Sequence, residues 1–303
     1  MLKNKWALFA VLVVVSMIGL SACQPQTVIV EKKVVETQVV EVEKIVKETV
    51  MVEGKEVEVT RVVKEEVVVE VTPVPETSDA VTLHVNLGTE PPQVDPALST
   101  DTTSVQVDEV LFLGLTDFDD ETSEVIPELA TDWDVSDDGL VWTFNMRDDV
   151  PWVAYNPATG EATIVTDDEG NPRMVTAYDV EYAVKRTLDP QTGSDYAYVL
   201  YIIEGAMDVN SGEEEDLDTI GVEAIDDFTV AFTLRQPAGY FPGIASMWIA
   251  RPVYAPVIEE YGARWIEPGI IVTNGPYLME SWKHFDSMVF VKNPHYFDAA
   301  NVQ

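Results

Sequence analysis

Polar and apolar residues alternate with a period of two in several short stretches of this chain, and with a helical period in a few others. Val81, Leu83, Val85 and Leu87 alternate with Thr82, His84 and Asn86, which predicts a half-buried strand. Glu90-Pro91-Pro92 and Asp95-Pro96 then impose a turn-rich loop. Apolar residues at 107, 110, 111 and 115 predict a short helix ending at Leu115. Leu140, Trp142, Phe144 and Met146 share one face of a strand that pairs with Trp133-Asp134-Val135 across the turn Ser136-Asp137-Asp138-Gly139. Thr176, with Asp179 three residues on, forms a capping-box variant ahead of the stripe Val180, Ala183, Val184 and Leu188. After the Asp226-Asp227 turn, Phe228, Val230, Phe232 and Leu234 mark another strand, and Pro256 to Tyr261 is a helix stopped by Gly262. Tyr277 to Trp282 and Ser287 to Lys292 pair across Lys283 to Asp286. Strands and helices intermingle, so the fold class is α/β in the broad sense, mixed α+β.

The N-terminal 78 residues have a different character. Lys3 and Lys5 precede an apolar run from Trp6 to Leu20, shorter than the ~20 residues a membrane span needs. The run ends in Leu20-Ser21-Ala22-Cys23, which resembles a lipobox. Residues 1–22 thus read as a lipoprotein signal peptide and Cys23 as the acylated residue. Each buried methylene contributes ~0.8 kcal/mol, so several chains on one residue anchor firmly. Residues 27 to 72 hold 18 valines in 46 positions, mixed with Glu and Lys and without one aromatic residue. The apolar period drifts between two and three, so neither a clean strand nor a heptad coiled coil is specified. The expected form of 23–78 is a solvated stalk, extended or self-associating, closed by Thr72-Pro73-Val74-Pro75.

Composition narrows the function. Net charge is −36, from 18 basic and 54 acidic residues, and nine basic against 43 acidic residues lie from Pro73 onward. Such a body repels phosphate backbones and excludes nucleic acid as a partner. The single Cys rules out an intramolecular disulfide and any thiolate metal site. His84, His284 and His295 are the only histidines and lack metal-ligand spacing. No nucleophile elbow, phosphate loop or dinucleotide fingerprint occurs. The clustered acids around Asp168-Glu169-Gly170-Asn171 lack the ligand order of an EF loop and read as a polar turn of an extra hairpin within 153–171. The expectation is a protein without catalytic residues, metal or cofactor.

Ten short segments then appear in register. They include Val94-Asp95-Pro96, Leu113-Gly114-Leu115, Pro127-Glu128-Leu129-Ala130 with Trp133, and Asp138-Gly139-Leu140 with Trp142-Thr143-Phe144. Further along are Val175-Thr176-Ala177, Ala224-Ile225-Asp226-Asp227, Pro237 before Tyr240-Phe241, Thr273-Asn274-Gly275-Pro276-Tyr277, and Asn293-Pro294 with Tyr296. In this order they resemble the extracellular solute-binding proteins of peptide and nickel ABC importers, oligopeptide-binding type. The resemblance implies a bilobed, periplasmic-binding-protein-like (type II) fold, with 79–115 and 234–303 in a large lobe, 116–233 an inserted smaller domain, and the C-terminal lobe largely beyond Gln303.

It also implies a peptide held between lobes by main-chain hydrogen bonds, a mode that ignores side-chain identity. Partners would be an ABC permease with its ATPase, outside a cell membrane to which the lipid tethers the protein. Nickel or an oligosaccharide as cargo, and a surface stalk or adhesion role, are the alternatives. Thr100, Asp101, Thr102, Thr103 and Ser104 match the stretch such binders lay beside the ligand backbone; a plain polar lead into the helix fits the same residues. Tyr196 and Tyr198 line a pocket or pack in the core. Asn274, Gly275 and Tyr277 enter a strand where Gly275 allows close backbone approach, with a structural role as the alternative.

Overall fold

The computed structural model describes residues 36–52, 55–71 and 81–300. The signal segment and Cys23 lie outside them. Two compact units are present, 1–84 and 85–303. In the first, β1 (Glu36–Val52) and β2 (Lys55–Val71) form an antiparallel hairpin whose register runs from Glu36 opposite Val71 to Val52 opposite Lys55. The valine tract is thus extended, as β-branched residues favour.

The strand expected at 81–87 does not form. Val81, Leu83 and Val85 are 96%, 83% and 68% exposed, and no strand among the described residues pairs with them. Period-two patterning specifies which residues share a face, but a strand also needs a neighbour to take its backbone hydrogen bonds.

The second unit begins with a loop and α1 (Thr102–Leu111). The helix ends at Leu111, four residues before the sequence expectation, because Phe112 turns extended at φ −129° and ψ 142°. Its carbonyl partners come from afar: the Leu111 oxygen accepts from the Gly275 amide at 2.8 Å. Phe112 to Leu115 then run buried and outside regular secondary structure. Next come the small hairpin β3 (Thr116–Phe118) and β4 (Val125–Pro127), the expected hairpin β5 (Ala130–Val135) and β6 (Val141–Met146), and β7 (Val153–Asn156) with β8 (Glu161–Ile164). The β7–β8 pair and a tight turn at Asp167 to Asn171, closed by Asp167 N–H to the Asn171 oxygen at 2.9 Å, account for the extra residues expected there.

Helix α2 (Ala177–Leu188) carries the capping box at Thr176 and Asp179 and buries Val180, Ala183, Val184 and Leu188. It is followed by α3 (Ala206–Ser211), β9 (Val222–Asp226), β10 (Thr229–Thr233), α4 (Phe241–Ala245) and α5 (Ala255–Tyr261), whose end is set by Gly262 at φ 56°. Short strand β11 (Val272–Thr273) pairs with β7, and β12 (Tyr277–Lys283) with β13 (Ser287–Lys292) closes the unit.

The centre is an antiparallel sheet in the order β5-β6-β10-β9. Its inner face carries Phe144 and Phe232, edge to face at 5.8 Å, with Phe241 of α4 packed 5.1 Å from Phe232. Aromatic pairs of this geometry add ~0.5–1.5 kcal/mol beyond their buried area. No helix among the described residues is long and apolar enough to cross a membrane.

Candidate functional site

The candidate residues gather at the two ends of α1, about 14 Å apart given the ~1.5 Å rise per residue. At its start Asp101, in extended conformation, caps the helix by accepting from the amides of Thr103 (3.0 Å) and Ser104 (3.1 Å). Its other oxygen accepts from the Ser104 hydroxyl at 2.6 Å. Burial pushes the Asp101 carboxyl up, but the hydrogen bonds from Ser104 and Thr103 outweigh it and hold the group below its ordinary value. Thr103 is buried, its Oγ1 3.0 Å from the Thr89 hydroxyl. Thr103 and Ser104 therefore serve the helix itself, while Thr100 and Thr102 stay exposed. Asp101 itself is extended, at φ −123° and ψ 159°, and is preceded by a turn over 96–98.

Beside this start lies a row of rings. Trp248 donates from Nε1 to the Ser99 carbonyl at 3.0 Å, which fixes its plane next to Thr100. Tyr196 packs on Trp248 at 5.2 Å, and Tyr198 on Tyr196 at 5.8 Å. Tyr196 is half-buried against the core, whereas Tyr198 is 58% exposed. The structure thus brings Thr100 and the two tyrosines together through Trp248, a residue that periodicity did not single out. Its signal is local: an indole after Ser246-Met247, on a one-turn helix, has nothing in sequence to mark its partner.

At the far end Asn274 is buried, and its Oδ1 accepts from the Leu113 amide at 2.9 Å. Its Nδ2 has no partner among the described residues. The Gly275 carbonyl accepts from Asn293 Nδ2 at 2.9 Å. Tyr277 is half-buried and opens β12 opposite Lys292. Arg251, only 3% exposed, donates to the carbonyls of Glu109 (3.3 Å) and Phe112, capping the C-terminal end of α1 with a cation.

Around that cation stand Asp108, Glu109 and Glu128. Asp108 is fully buried, and neither carboxylate oxygen has a partner among the described residues. Ser99 directs its hydroxyl to the Asp95 carbonyl at 3.1 Å. Burial pushes the Asp108 carboxyl well above its usual range. Burial likewise raises Glu128, to about 7, although Arg251 pulls it down and the Gly114 amide donates to it at 2.6 Å.

A raised carboxyl takes up a proton on folding, so its contribution to stability is full below pH 4.5 and falls as pH climbs through about 7. Replacing Glu128 by Gln keeps an acceptor for Gly114 and removes the titration. Between about pH 5 and pH 8 the parent should lose on the order of 2 kcal/mol more stability than E128Q, Asp108 leaving a residual slope in both. Urea midpoints at the two pH values check this, and parallel slopes would refute it.

Two of the three histidines meet polar partners far along the chain. His284 Nδ1 lies 2.8 Å from Glu90 Oε1, which also accepts from Trp282 Nε1 at 3.0 Å, and His295 Nε2 is 3.3 Å from the Ala162 carbonyl. Among the described residues no group of three His, Cys, Asp or Glu could hold a metal ion.

Residues 124–303 match the family model described as bacterial extracellular solute-binding proteins, family 5 Middle. The oligopeptide-binding protein OppA of Bacillus subtilis (strain 168) is 34% identical over 232 residues, 75% of this chain and 38% of that protein. Among solved structures, a periplasmic oligopeptide-binding protein from Borrelia burgdorferi aligns with a TM-score of 0.63 at 32% identity, covering 72% of this chain and 40% of that one. Haemophilus influenzae OppA in complex with RPPGFSPFR aligns with a TM-score of 0.62 at 28% identity, covering 71% of this chain and 39% of that one. The chain therefore spans well under half the length of these relatives. Family match, mixed α and β architecture and structural neighbours agree: the chain belongs to the bacterial extracellular solute-binding proteins, family 5.

Proposed function

We propose that this chain is part of a receptor that captures oligopeptides outside the cytoplasmic membrane and delivers them to an ABC permease and its ATPase, binding them without turnover. The observation that carries the reading is the row Thr100, Trp248, Tyr196 and Tyr198: an exposed polar residue next to extended Asp101, beside partly exposed rings. Extended backbone can pair with a peptide main chain whatever its sequence, and rings accept varied side chains at low entropic cost. The Haemophilus relative, whose structure is described as a complex with RPPGFSPFR, supports this choice of cargo. In this reading Cys23 carries the lipid, 116–233 forms the smaller domain, and 79–115 with 234–303 belongs to the larger lobe. Ligand would then shift a hinge equilibrium toward a closed state.

Native mass spectrometry of the intact protein should show co-purified short peptides, released unchanged on unfolding. Tyr198→Ala should weaken peptide binding about tenfold in calorimetry, about 1.4 kcal/mol, with the melting temperature kept. Bound nickel or sugar in place of peptide, peptides returned cleaved, or an unaltered affinity in Y198A would each defeat the proposal.

A further inference from the structure

We propose that Asp108 is a positioning residue for the Trp248 row and that, through it, peptide capture is linked to the uptake of a proton. The linkage rests on the peptide-receptor reading above and regulates the same surface. Trp248 is held at two points. Its indole donates to the Ser99 carbonyl at 3.0 Å, and its own carbonyl accepts from the Arg251 amide at 3.1 Å, which closes the one-turn helix Trp248–Ala250. Ser99 and Arg251 are both buried, and both face the buried carboxyl of Asp108. One carboxyl of α1 therefore acts on each of the two supports of the ring.

The other groups that face Asp108 are Glu109, its neighbour on α1, and Asp95 in the loop ahead of the helix. Asp95 is already engaged by Arg186, Trp265 and the Ala97 amide. The Arg251 guanidinium donates to the carbonyls of Glu109 and Phe112, with its Nε unpartnered among the described residues, and the Ser99 hydroxyl donates to the Asp95 carbonyl. Neither oxygen of Asp108 is hydrogen-bonded among the described residues, so this arrangement suits the neutral carboxyl. Ionised, Asp108 is an unpaired charge in the core, repelled by the Asp95 carboxylate. It then draws the guanidinium off the α1 carbonyls and the hydroxyl off the Asp95 carbonyl, and either movement shifts a support of Trp248. A peptide that needs the ring in place therefore favours neutral Asp108, and by reciprocity the proton favours the peptide. Burial raises this carboxyl, so affinity is full below its raised value and falls as pH climbs through it.

Calorimetry of the full chain in mild non-ionic detergent, with a pool of pentapeptides lacking ionisable side chains and across about pH 5 to 9, tests the linkage. The ratio of the parent's affinity to that of Asp108→Asn should fall about tenfold from the lower pH to the higher. Taking the ratio cancels the titration of the peptide's own ends. Burial raises Glu128 to about 7, inside the same window, so Glu128→Gln is the control and should keep the fall. A second readout needs no ligand. The indole N–H resonance of Trp248, assigned with Trp248→Phe, should move with pH in the parent and in E128Q and stay nearly fixed in D108N. An indole that titrates in D108N as in the parent, an affinity ratio flat with pH, or loss of the fall in E128Q would overturn the proposal. Peptide bound with a flat ratio leaves the receptor reading standing. No peptide bound at any pH, with the indole still titrating, sinks that reading and the linkage to capture with it. Should D108N not fold, the indole decides alone: equal titration in the parent and E128Q supports Asp108, and its loss in E128Q overturns it.

Discussion

Replacing Arg186 by Leu should destabilise the second unit by about 3–5 kcal/mol, the usual penalty when one partner of a buried ion pair is removed. Arg186 reaches from α2 to Asp95 with both terminal nitrogens, at 2.8 and 2.6 Å, and Asp95 is 2% exposed. The same carboxylate accepts from Trp265 Nε1 and from the Ala97 amide, each at 3.0 Å. Four donors on one buried carboxylate bind the loop ahead of α1 to α2 and to the segment before β11. Without the guanidinium, a charged carboxylate is left where water cannot reach it, with two neutral donors only. For a domain of this size the loss corresponds to a melting temperature lower by about 10 °C or more. The double variant Asp95→Asn with Arg186→Leu removes the stranded charge. Its single oxygen can accept from only one of Trp265 Nε1 and the Ala97 amide, which bond different oxygens of Asp95. Losing one neutral bond costs less than burying an unpaired charge, so the double variant should lose less stability than R186L alone. A double variant as unstable as the single would mean that packing, not charge, governs this contact. Because Asp95 lies only four residues before Ser99, which holds the Trp248 ring, R186L should also loosen the proposed peptide surface.

Much of this architecture was legible in the residues, and the exceptions share a cause. The capping box at Thr176, the faces of β6 and β10 and the helix stop at Gly262 are written in neighbouring residues, and all form as expected. The end of α1 is set instead by Gly275 and Arg251, more than a hundred residues away, which no local pattern near Leu115 announces. Val81 to Leu87 carries a strand pattern without a neighbour to pair with, so pattern alone misled. The valine tract fails in the opposite direction. Its period drifts along each strand, yet the two strands pair along their whole length.

At the candidate site, Thr100 and the tyrosines were marked by the resemblance and by exposed polar chemistry. Trp248 was not, because its role depends on meeting the Ser99 carbonyl in space. Asp108 and Glu128 escaped notice for a related reason. In a chain so rich in carboxylates, only burial distinguishes the few whose carboxyl is pushed up from the many that merely solvate the surface.

Gly275→Ala should be nearly as damaging as the loss of Arg186, at about 3 kcal/mol, through the opposite mechanism of crowding. A methyl group on Gly275 would sit 2.6 Å from both the carbonyl carbon and oxygen of Leu111 and 2.8 Å from the oxygen of Val110. These are backbone atoms of α1 and cannot rotate aside as a side chain would, so the cost falls at the upper end for overpacking. Nor can the Gly275 segment retreat. Its amide donates to the Leu111 carbonyl, its carbonyl accepts from Asn293, and Asn274 beside it receives the Leu113 amide. Moving by the required ångström breaks at least one of these buried bonds. Thermal melts should show G275A about 6–12 °C below the parent. Gly239→Ala, where an added methyl meets nothing within 4 Å, should stay within about 0.5 kcal/mol. The pair also separates the two roles open to Asn274-Gly275. If the close approach serves the joint between α1 and β12, the folded G275A variant binds peptide with unchanged affinity while melting early. Affinity lost with the melting temperature intact would move these residues into the binding surface and remove the structural account given for them.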